Sequence, residues 1–593
     1  MRLDFKSAHT VKQYGLTVFT WSLLCLLMLT ACSGQDTTNK PASPTKTTSS
    51  TASFQCTSKS STPVTLNMAY SSEKQTWMDA VVADFNRQNI TACDGPITVK
   101  ATPMGSGQSM QQIVDGTIQP DIWSPAGNVW ITLINAKWRE KHGTDLISTG
   151  ANDTPSLVSS PVVIAMWKPQ AEALGWPNKA IGWSDIARLS TDPQGWRAYG
   201  HPEFGDFKFG HTHPDYSNSG LDAVIAMNYA AVNKTRALTA GDIANAKTRA
   251  FVTNVESSVI HYGDSTGFFA DNMFKNGPGY LSAAVMYENL VVEANSGQIY
   301  KNLAYPVVAI YPKEGTFYSD HPFTILQNSG MTPAKKAAAL AFRSFLLAPA
   351  QQQKALQDGF RPANPQVQLT APLDSAHGID TSQPKTLLQV PNADLVSAIQ
   401  DNWNQQRRLV DVMLVLDRSG SMNDQINGAS KIDGAKQGLT EFVKLVGDQD
   451  QLGLTIFSTQ TDILSPVSIL APKRQDILSR INGILAIGST RLYDTISEQV
   501  QKLQAMPSKH IKAVVVLTDG QDTSSQLNED QLVRQITARG ENAGNSVKVF
   551  TIAYGSDADQ TALTRIATAT GGQEYAGNPQ NIREVYNQIS EFF

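Results

Sequence analysis

The sequence lacks a strong excess of either charge. Its 593 residues contain 48 Lys and Arg against 52 Asp and Glu, a formal net charge of −4, with no basic block beyond short pairs. Nucleic-acid-binding domains usually carry a basic patch, so we expect no DNA or RNA partner. Hydrophobic residues make up 41%, which excludes disorder as the main description. At roughly 150 residues per domain, the length predicts several folded domains.

Several catalytic signatures are missing as well. The sequence contains no P-loop, no Gly-x-Gly-x-x-Gly after a strand pattern, and no His-Glu-x-x-His zinc motif. Nothing points to the paired carboxylates of a glycosidase either. We therefore predict a binding protein rather than an enzyme.

The first 31 residues have the pattern of an export signal. Basic residues precede an apolar run (residues 15–31), which is short for a membrane span of roughly 18 or more apolar residues. The run ends in LTAC (residues 29–32), which resembles the lipobox of bacterial lipoproteins. This resemblance implies that residues 1–31 are removed and that Cys32 is lipidated, so the protein would be extracytoplasmic and anchored to the bacterial cell membrane by lipid alone. An uncleaved signal anchor is the alternative.

Cysteine is scarce, with four residues in the chain. Cys25 would leave with the signal and Cys32 would carry lipid, so Cys56 and Cys93 remain as an even pair. An oxidising compartment favours a disulfide between them, with two free thiols as the alternative. No Cys-x-x-Cys or His-x-x-x-His spacing supports a zinc site. Residues 32–61 are rich in Ser, Thr and Pro, which predicts a solvated tether.

Residues 62–390 alternate strand patterns with helix patterns. VTLNMAY (residues 64–70) has the pattern of a buried strand, and Trp77, Val81 and Phe85 then recur at four-residue spacing, which predicts a helix. Such alternation predicts an α/β fold with parallel strands. Ser, Thr and Gly recur at the strand-to-helix turns, where free N–H groups and hydroxyls can bind an anion or a polar ligand. The alternative is that these residues only cap their own helices.

Four segments of this region carry a resemblance to a known family. PDIWSPA, SPVVIAMWKPQA, GHTHPDYSNSGL and GFRPANP occur in an order that resembles bacterial extracellular solute-binding proteins of the two-lobed, type 2 periplasmic kind. The resemblance implies two α/β lobes that close on a small-molecule solute. It places the binding residues of the cleft at Ser72, Ser106, Ser124, Ser219 and Tyr287. For His211 and His213 we expect ordinary hydrogen bonding, with a metal or proton role as the alternative.

The segment that follows, residues 391–408, is predicted to be a connector helix. Val396, Ile399 and Trp403 form an apolar stripe at helical spacing. An apolar stripe of this kind is stable only when it is buried. We therefore expect the helix to dock against a folded domain.

The last region, residues 409–593, has the clearest pattern. LVDVMLVLD (residues 409–417) and AVVVLTDG (residues 513–520) are nearly continuous apolar runs, which are typical of parallel strands buried on both faces. Helix patterns separate these runs, and this alternation predicts a doubly wound, Rossmann-like α/β sheet. Ligands of such sheets bind beyond the carboxyl ends of the strands.

Oxygen-bearing side chains cluster at those strand ends: Asp417, Ser419, Ser421, Thr490 and Asp519. Hydroxyls and carboxylates without Cys or His suit a hard divalent cation, Mg²⁺ first, with Mn²⁺ or Ca²⁺ as alternatives. The pattern resembles the metal-ion-dependent adhesion site of von Willebrand factor A domains. This resemblance implies that the two serines and the threonine bind the ion directly and that both aspartates act through water. It also implies that a partner protein supplies a carboxylate to the ion. The alternative is that these residues are only turn formers and caps. Nearby aspartates are expected to be solvated turn residues: Asp522, Asp557 and Asp559.

Together these patterns predict a lipid-anchored, extracytoplasmic binding protein with two recognition modules. One is a solute-binding-like domain, and the other is a Mg²⁺-dependent protein-binding or adhesion domain. The alternative function is a substrate-binding receptor of an ABC transporter, with the second domain as its docking element.

Overall fold

The computed structural model describes residues 62–92, 95–150, 152–263, 265–508, 510–537 and 547–590. The predicted export signal and tether, together with Cys32, Cys56 and Cys93, lie outside the described residues. Within the described ranges, no helix combines the length and the apolar character that a membrane crossing requires.

Strands and helices alternate from residue 62 to residue 404, as the sequence predicts. The strands are β1 (Val64–Ser71), β2 (Thr91–Ala92), β3 (Gly95–Met104), β4 (Ile122–Ser124), β5 (Val158–Trp167), β6 (Phe209–Thr212), β7 (Val259–Gly263), β8 (Ala283–Tyr287), β9 (Val307–Ile310), β10 (Tyr318–Ser319), β11 (Thr324–Ile325) and β12 (Arg361–Pro362). The helices are α1 (Gln75–Arg87), α2 (Ser106–Val114), α3 (Val129–His142), α4 (Lys168–Ala173), α5 (Trp183–Thr191), α6 (Asn218–Val232), α7 (Ala240–Ala244), α8 (Ala246–Glu256), α9 (Thr266–Asn276), α10 (Glu288–Asn295), α11 (Pro333–Leu346), α12 (Pro349–Gln357) and α13 (Ala393–Asn404).

These elements form two lobes, each with its own sheet. The first lobe has the strand order β11-β4-β1-β3-β2, with β1 parallel to both β3 and β4. In the second lobe the order is β10-β5-β8-β6-β7, and β9 and β12 also pair with β5. The chain passes to the second lobe before β5, returns to the first at β11, and reaches the second again at β12. The predicted two-lobed α/β architecture is thereby confirmed.

The connector helix α13 docks on the second lobe through its predicted apolar stripe. Val396, Ile399 and Trp403 are at most 1% exposed. The indole Nε1 of Trp403 donates to Glu256 Oε1 at 2.8 Å, and its ring packs edge-on against Tyr262. Burial of the stripe therefore places the start of the next domain directly beside the second lobe.

Residues 410–590 form the last domain. Its strands are β13 (Val410–Asp417), β14 (Gln425–Ile426), β15 (Ala429–Ser430), β16 (Gln451–Phe457), β17 (Thr461–Ile469), β18 (Ile511–Thr518), β19 (Lys548–Tyr554) and β20 (Glu574–Gly577). Its helices are α14 (Lys431–Leu445), α15 (Arg474–Asn482), α16 (Leu492–Ala505), α17 (Glu529–Ile536), α18 (Gln560–Ala569) and α19 (Ile582–Ser590).

Helices cover both faces of the sheet in this domain. The strand order is β17-β16-β13-β18-β19-β20, and β17 is antiparallel to β16. Along β13, Val412 and Leu414 belong to one core, whereas Met413 and Val415 belong to the core of the opposite face. Burial on both faces explains why the strand is a continuous apolar run in the sequence. The predicted doubly wound sheet is confirmed.

The order of the strands determines where a ligand can reach this domain. After β13 the chain continues to β16 on one side, and β18 then pairs with β13 on the other side. This reversal opens a crevice at the carboxyl ends of the strands, which is where doubly wound folds bind their ligands. Asp417 ends β13, and Asp519 follows the last residue of β18.

Candidate functional site

Three loops meet at the carboxyl edge of the last domain's sheet. They follow β13, precede α16 and follow β18. The backbone N–H of Gly420 donates to Gly488 O at 2.9 Å, which joins the first loop to the second. Thr523 N–H donates to Thr490 O at 2.8 Å, which joins the third loop to the second. Stretches that lie about 70 and 30 residues apart in sequence are thus brought to one place.

Four of the five predicted side chains are linked at this place by hydrogen bonds. The hydroxyls of Ser419 and Ser421 are 3.0 Å apart, and Ser421 Oγ donates to Asp519 Oδ1 at 2.8 Å. Asp417 lies behind them, fully buried, and accepts from Ser419 N–H at 2.7 Å and from the Thr518 hydroxyl at 2.5 Å. Asp417 therefore fixes the backbone of the first loop from its buried side, while Ser421 is exposed to solvent.

Thr490 faces the same spot from the second loop. A methyl group placed on Gly520 would lie 3.7 Å from Thr490 Oγ1 and 4.0 Å from Ser421 Oγ. Both hydroxyls therefore border one glycine, and any side chain there would project between them. Thr490 is 5% exposed, and its backbone N–H donates to the Thr523 hydroxyl at 3.0 Å. The structure thus brings all five predicted residues to one edge.

A lysine outside the predicted motif forms a buried ion pair with one of its aspartates. The Nζ of Lys431, the first residue of α14, donates to Asp519 Oδ2 at 2.8 Å, and the lysine side chain is 3% exposed. Burial by itself lowers the pKa of Lys431, but the hydrogen bond and charge of Asp519 outweigh it and raise that pKa. The sequence offered only a single lysine at the start of a helix pattern as a signal.

Burial also affects the central carboxylate. Burial raises the pKa of Asp417 to about 6, and the negative charge of Asp519 also raises it. The hydrogen bonds from Thr518 and Ser419 lower this pKa but do not cancel the effect of burial. Two carboxylates and three hydroxyls are oxygen ligands of the kind that hard divalent cations take. Lys431 contacts Oδ2 of Asp519, whereas Ser421 contacts Oδ1. The ion pair therefore uses one carboxylate oxygen, and the other faces the hydroxyl groups.

The expectation for the nearby aspartates is wrong for Asp522. Its Oδ1 accepts from Leu492 N–H at 2.8 Å and from the Ser525 hydroxyl at 2.6 Å, so it caps the start of α16 directly after Thr490. Asp559 likewise caps α18, with its Oδ1 accepting from Ala562 N–H at 3.0 Å. Asp557 is 71% exposed, as expected, although it lies 3.5 Å from Lys431 Nζ.

In the two-lobed region, the five predicted cleft residues are buried at the junction between the lobes. Ser72 Oγ accepts from Gly267 N–H of the second lobe at 3.0 Å, and Gly107 N–H donates to Tyr216 O at 2.8 Å. These contacts join the lobes in a closed arrangement. Ser106 Oγ accepts from Ala126 N–H, Ser219 Oγ contacts the Thr212 and Thr266 hydroxyls, and Tyr287 OH accepts from Asn218 Nδ2. The buried Ser124 Oγ has no hydrogen-bond partner among the described residues.

The alternative that these serines only cap their own helices is therefore wrong for Ser72 and Ser106. Neither hydroxyl accepts from the first turn of its own helix; each binds a backbone N–H that is distant in sequence. The sequence could not distinguish the two cases, because the partner of a hydroxyl depends on how distant segments pack.

A buried cluster of the protein's own charges lies beside the cleft residue Ser124. Lys74 Nζ lies 3.1 Å from Ser124 O, 3.2 Å from His321 Nδ1 and 3.6 Å from Glu73 Oε1. Burial lowers the pKa of Lys74 to about 8 and that of His321 to about 4. Burial opposes ionisation of Glu73, but Lys74 and His321 outweigh it and lower its pKa to about 2. Sequence analysis missed this buried charged cluster.

His211, in β6, and His213, directly after it, make ordinary hydrogen bonds, as expected. His211 contacts Thr212 O at 2.8 Å through Nδ1 and Glu256 Oε1 at 3.0 Å through Nε2. His213 Nδ1 accepts from Asp215 N–H at 3.2 Å. In the part of the chain that the structure describes, no three His, Cys, Asp or Glu side chains gather as metal ligands.

A Gly-x-Ser-x-Gly spacing does occur once, at residues 263–267, in a strand-to-helix turn. Ser265 has an ordinary extended backbone, with φ −146° and ψ 149°, rather than a strained turn. Its hydroxyl is buried and has no hydrogen-bond partner within the described ranges, so no base activates it there. The spacing by itself therefore does not indicate a nucleophilic serine.

Comparisons with known families agree with this architecture. Residues 66–361 match the family described as bacterial extracellular solute-binding protein, and residues 411–590 match the von Willebrand factor type A (VWA) domain. The chain joins an extracellular solute-binding domain to a VWA domain. The five hydroxyl and carboxylate residues lie in the VWA domain, and the closed cleft lies in the solute-binding domain.

Similar proteins are distant in sequence. Inter-alpha-trypsin inhibitor heavy chain 4 of Mus musculus is 23% identical over 193 residues, which cover 30% of this chain and 20% of the mouse protein. The protein YwmC of Bacillus subtilis (strain 168) is also 23% identical over 193 residues, covering 30% of this chain and 82% of its own. This chain therefore spans only a fifth of the mouse relative. Among solved structures, the periplasmic binding protein AfuA from Actinobacillus pleuropneumoniae, with fructose-6-phosphate bound, is 16% identical, with a TM-score of 0.40 over 57% of this chain and 98% of AfuA.

Proposed function

We propose that this protein is an extracytoplasmic binding protein with two recognition modules, anchored to the bacterial cell membrane through lipid on Cys32. Its solute-binding domain takes a small molecule. Its VWA domain binds a partner protein through a divalent cation, Mg²⁺ in the first place. The proposal is carried by one observation: Ser419, Ser421 and Asp519 form a connected set of oxygen donors at the switch point of the sheet.

The VWA residues divide into two roles in this proposal. Ser419, Ser421 and Thr490 would bind the cation directly, and Asp417 and Asp519 would act through water. A bound divalent cation supplies an electron-poor centre for a carboxylate oxygen of the partner. Because the direct ligands are neutral hydroxyls, most of the cation's charge remains available to that carboxylate. The exposure of Ser421 gives the partner access from solvent.

The solute-binding half supports an extracytoplasmic location, because its family consists of extracellular binding proteins. Closure of the lobes through the Ser72–Gly267 and Gly107–Tyr216 contacts is the arrangement in which a two-lobed binding protein encloses a ligand. Solute capture and partner binding are thus assigned to separate domains, and each can be tested by itself.

Calorimetric titration of the folded chain with MgCl₂ tests the metal site. We expect saturable binding by the native protein, loss of it in Ser419→Ala and Thr490→Ala, and retention in Ser479→Ala, an exposed serine of α15. Thermal unfolding in EDTA shows whether each variant is folded. Absence of Mg²⁺ binding by the native protein, or unchanged binding in folded Ser419→Ala, contradicts the proposal.

Cross-linking in intact bacterial envelopes tests the partner. We expect the native protein to capture a protein in Mg²⁺ and to lose it in EDTA and in Ser419→Ala. If Ser419→Ala captures the same proteins as the native chain, and deletion of the protein abolishes uptake of a labelled solute, the transport-receptor function replaces the adhesion function.

A further inference from the structure

A cavity of about 690 Å³ lies where both lobes of the solute-binding domain meet the segment that leads to α13. Its wall is formed by the start of α3, one side of α6 and residues 237–238, 317–318, 320, 389–392 and 395. None of the five predicted cleft residues lines it. A volume of this order is typical of small-molecule sites, which often lie at junctions between structural units.

The charged groups of the wall are two carboxylates, Asp222 on α6 and Asp320. Among the described residues that line the cavity there is no Lys, Arg or His. Asp222 is 5% exposed and accepts a hydrogen bond at Oδ2 from Asn218 Nδ2 at 2.7 Å, while no described group donates to its Oδ1. Asp320 accepts from the backbone N–H of Asn128 at 3.0 Å and from the Asn128 side chain. Oδ1 of Asp222 is thus left for a ligand.

The cations near this wall are engaged elsewhere. Lys74 influences Asp320 only as a more distant charge, since its ammonium contacts Ser124 O in the cleft. Arg361 lies over the ring of Tyr318 but pairs with Glu288 at 2.7 Å. The two carboxylates therefore form an acidic wall that the described chain does not neutralise.

Burial raises the pKa of both acids. It raises the pKa of Asp222 well above its ordinary value, and the charge of Asp320 raises it further. The pKa of Asp320 itself rises to about 6, also through burial. An ionised carboxylate removed from water is stabilised by an opposite charge within a few ångströms. The wall is therefore electrostatically complementary to a cation.

The other side chains of the wall suit an organic ligand rather than a bare ion. Tyr229, Phe317 and Tyr318 contribute aromatic surface, and Leu238 and Val390 contribute aliphatic surface. Aromatic faces attract ammonium groups through the ring quadrupole, and apolar surface packs against a carbon skeleton. A metal ion alone would use neither and would fill only a small part of the volume.

We propose that this cavity binds a small organic cation, whose ammonium group pairs with Asp222 and Asp320 while its carbon skeleton packs against the aromatic wall. The inference rests on the small-molecule part of the proposed function and names the chemical class of the solute. It does not depend on the metal site, so its failure and the failure of Mg²⁺-dependent partner binding are observed in different experiments.

Isothermal titration of the folded chain in EDTA tests the inference. The probes are putrescine and choline, which carry primary and quaternary ammonium groups, with 1,4-butanediol as the uncharged analogue of putrescine. We expect at least one ammonium probe to bind, and Asp222→Asn and Asp320→Asn each to weaken its affinity by about tenfold or more, as for loss of one charge-assisted contact. Glu140→Gln, an exposed acid on α3, serves as the matched control and should bind as the native chain does.

Asp222→Asn should remain folded, because an amide costs less to bury than a carboxylate and can still accept from Asn218. Thermal unfolding without ligand verifies this. The inference is overturned if no ammonium probe binds at concentrations up to about 10 mM. It is equally overturned if 1,4-butanediol binds as well as putrescine, or if both asparagine variants retain native affinity.

Discussion

Arg407 and Asp450 form a buried ion pair where the connector enters the VWA domain. The guanidinium Nη2 lies 2.5 Å from Asp450 Oδ2, and the two side chains are 5% and 4% exposed. Asp450 also accepts from Gly447 N–H at 3.0 Å and from Val410 N–H at 3.1 Å. The pair therefore links the last residues of the connector to the first strand of the VWA domain.

Removing one member of this pair should be costly. We expect Arg407→Met to lower the free energy of unfolding by about 3–5 kcal/mol, because it leaves Asp450 charged, buried and without its cation. Urea denaturation measures the loss. Arg480→Ala, which breaks an exposed pair with Asp476, is the control and should cost less than about 1 kcal/mol. A loss for Arg407→Met as small as that of the control would show that the buried pair contributes little.

Lys431 should weaken the proposed binding of Mg²⁺. Its ammonium lies 2.8 Å from Asp519 and adds a positive charge beside the oxygen cluster. We therefore expect Lys431→Met to bind Mg²⁺ several-fold more tightly in calorimetric titration, since like charges repel over this distance. Lys436→Met, five residues further along α14 and outside the cluster, should bind as the native protein does. Weaker Mg²⁺ binding in Lys431→Met would mean that the lysine positions Asp519 rather than competing for it.

Two glycines allow the lobes to approach in the closed arrangement. A methyl group on Gly107 would lie 2.1 Å from Asp215 O, and one on Gly267 would lie 2.8 Å from the carbonyl carbon of Ser72. Neither position has room for a side chain, because both neighbours are backbone atoms of the facing lobe. We expect Gly107→Ala and Gly267→Ala to open the lobes and increase the radius of gyration in small-angle X-ray scattering.

Gly279→Ala is the matched control for these variants, because a methyl group there meets no atom of the described residues within 4 Å. Its scattering profile should equal that of the native chain. Unchanged profiles for Gly107→Ala and Gly267→Ala would show that the lobes accommodate the methyl groups without separating.

The buried carboxyl group of Glu293 should make the protein less stable as the pH rises. Burial raises its pKa to about 7, and the charges of Asp358 and Asp271 add to the rise, although the Thr76 hydroxyl donates to it at 2.9 Å. A group with a raised folded-state pKa keeps its proton longer in the folded protein than in the unfolded chain. Its contribution is therefore complete below its ordinary pKa of 4.5 and is lost as the pH rises through about 7.

We expect Glu293→Gln to reduce this loss, by at most about 3 kcal/mol at pH 8, because glutamine carries no charge and can still accept from Thr76. Urea denaturation at about pH 5 and pH 8 measures the difference for each protein. The exposed Glu140→Gln should show the native pH dependence. A pH dependence of Glu293→Gln equal to that of the native chain would assign the effect to other acids.

The regular elements of the VWA domain were predictable because their signals are local. The run at residues 409–417 is apolar except for Asp411 and Asp417, and the structure shows β13 at Val410–Asp417 with alternate side chains in two cores. The helical spacing of Val396, Ile399 and Trp403 likewise identified the buried stripe of α13. Such periodicities depend only on neighbours in sequence.

The candidate metal site was predictable for a related reason. In a parallel sheet, carboxyl strand ends lie at the same edge, so Asp417 and Asp519 had to lie near each other once their strands were adjacent. The ion pair of Lys431 with Asp519 was not predictable, because it depends on how α14 packs over the sheet. Asp222 could have been noticed in the sequence, because it is the acidic residue in the otherwise largely apolar helix α6.

The sequence by itself determined the order of strands and helices, the doubly wound class of the last domain and the residues at its sheet edge, and the two lobes followed from the resemblance to solute-binding proteins. Only the tertiary structure decided which partners the cleft serines bind, where Lys431 and Asp522 act, and that Asp222 and Asp320 share one cavity. The physical reason is range: secondary structure follows from contacts a few residues apart, whereas ion pairs, cavities and lobe closure arise from residues that are distant in sequence.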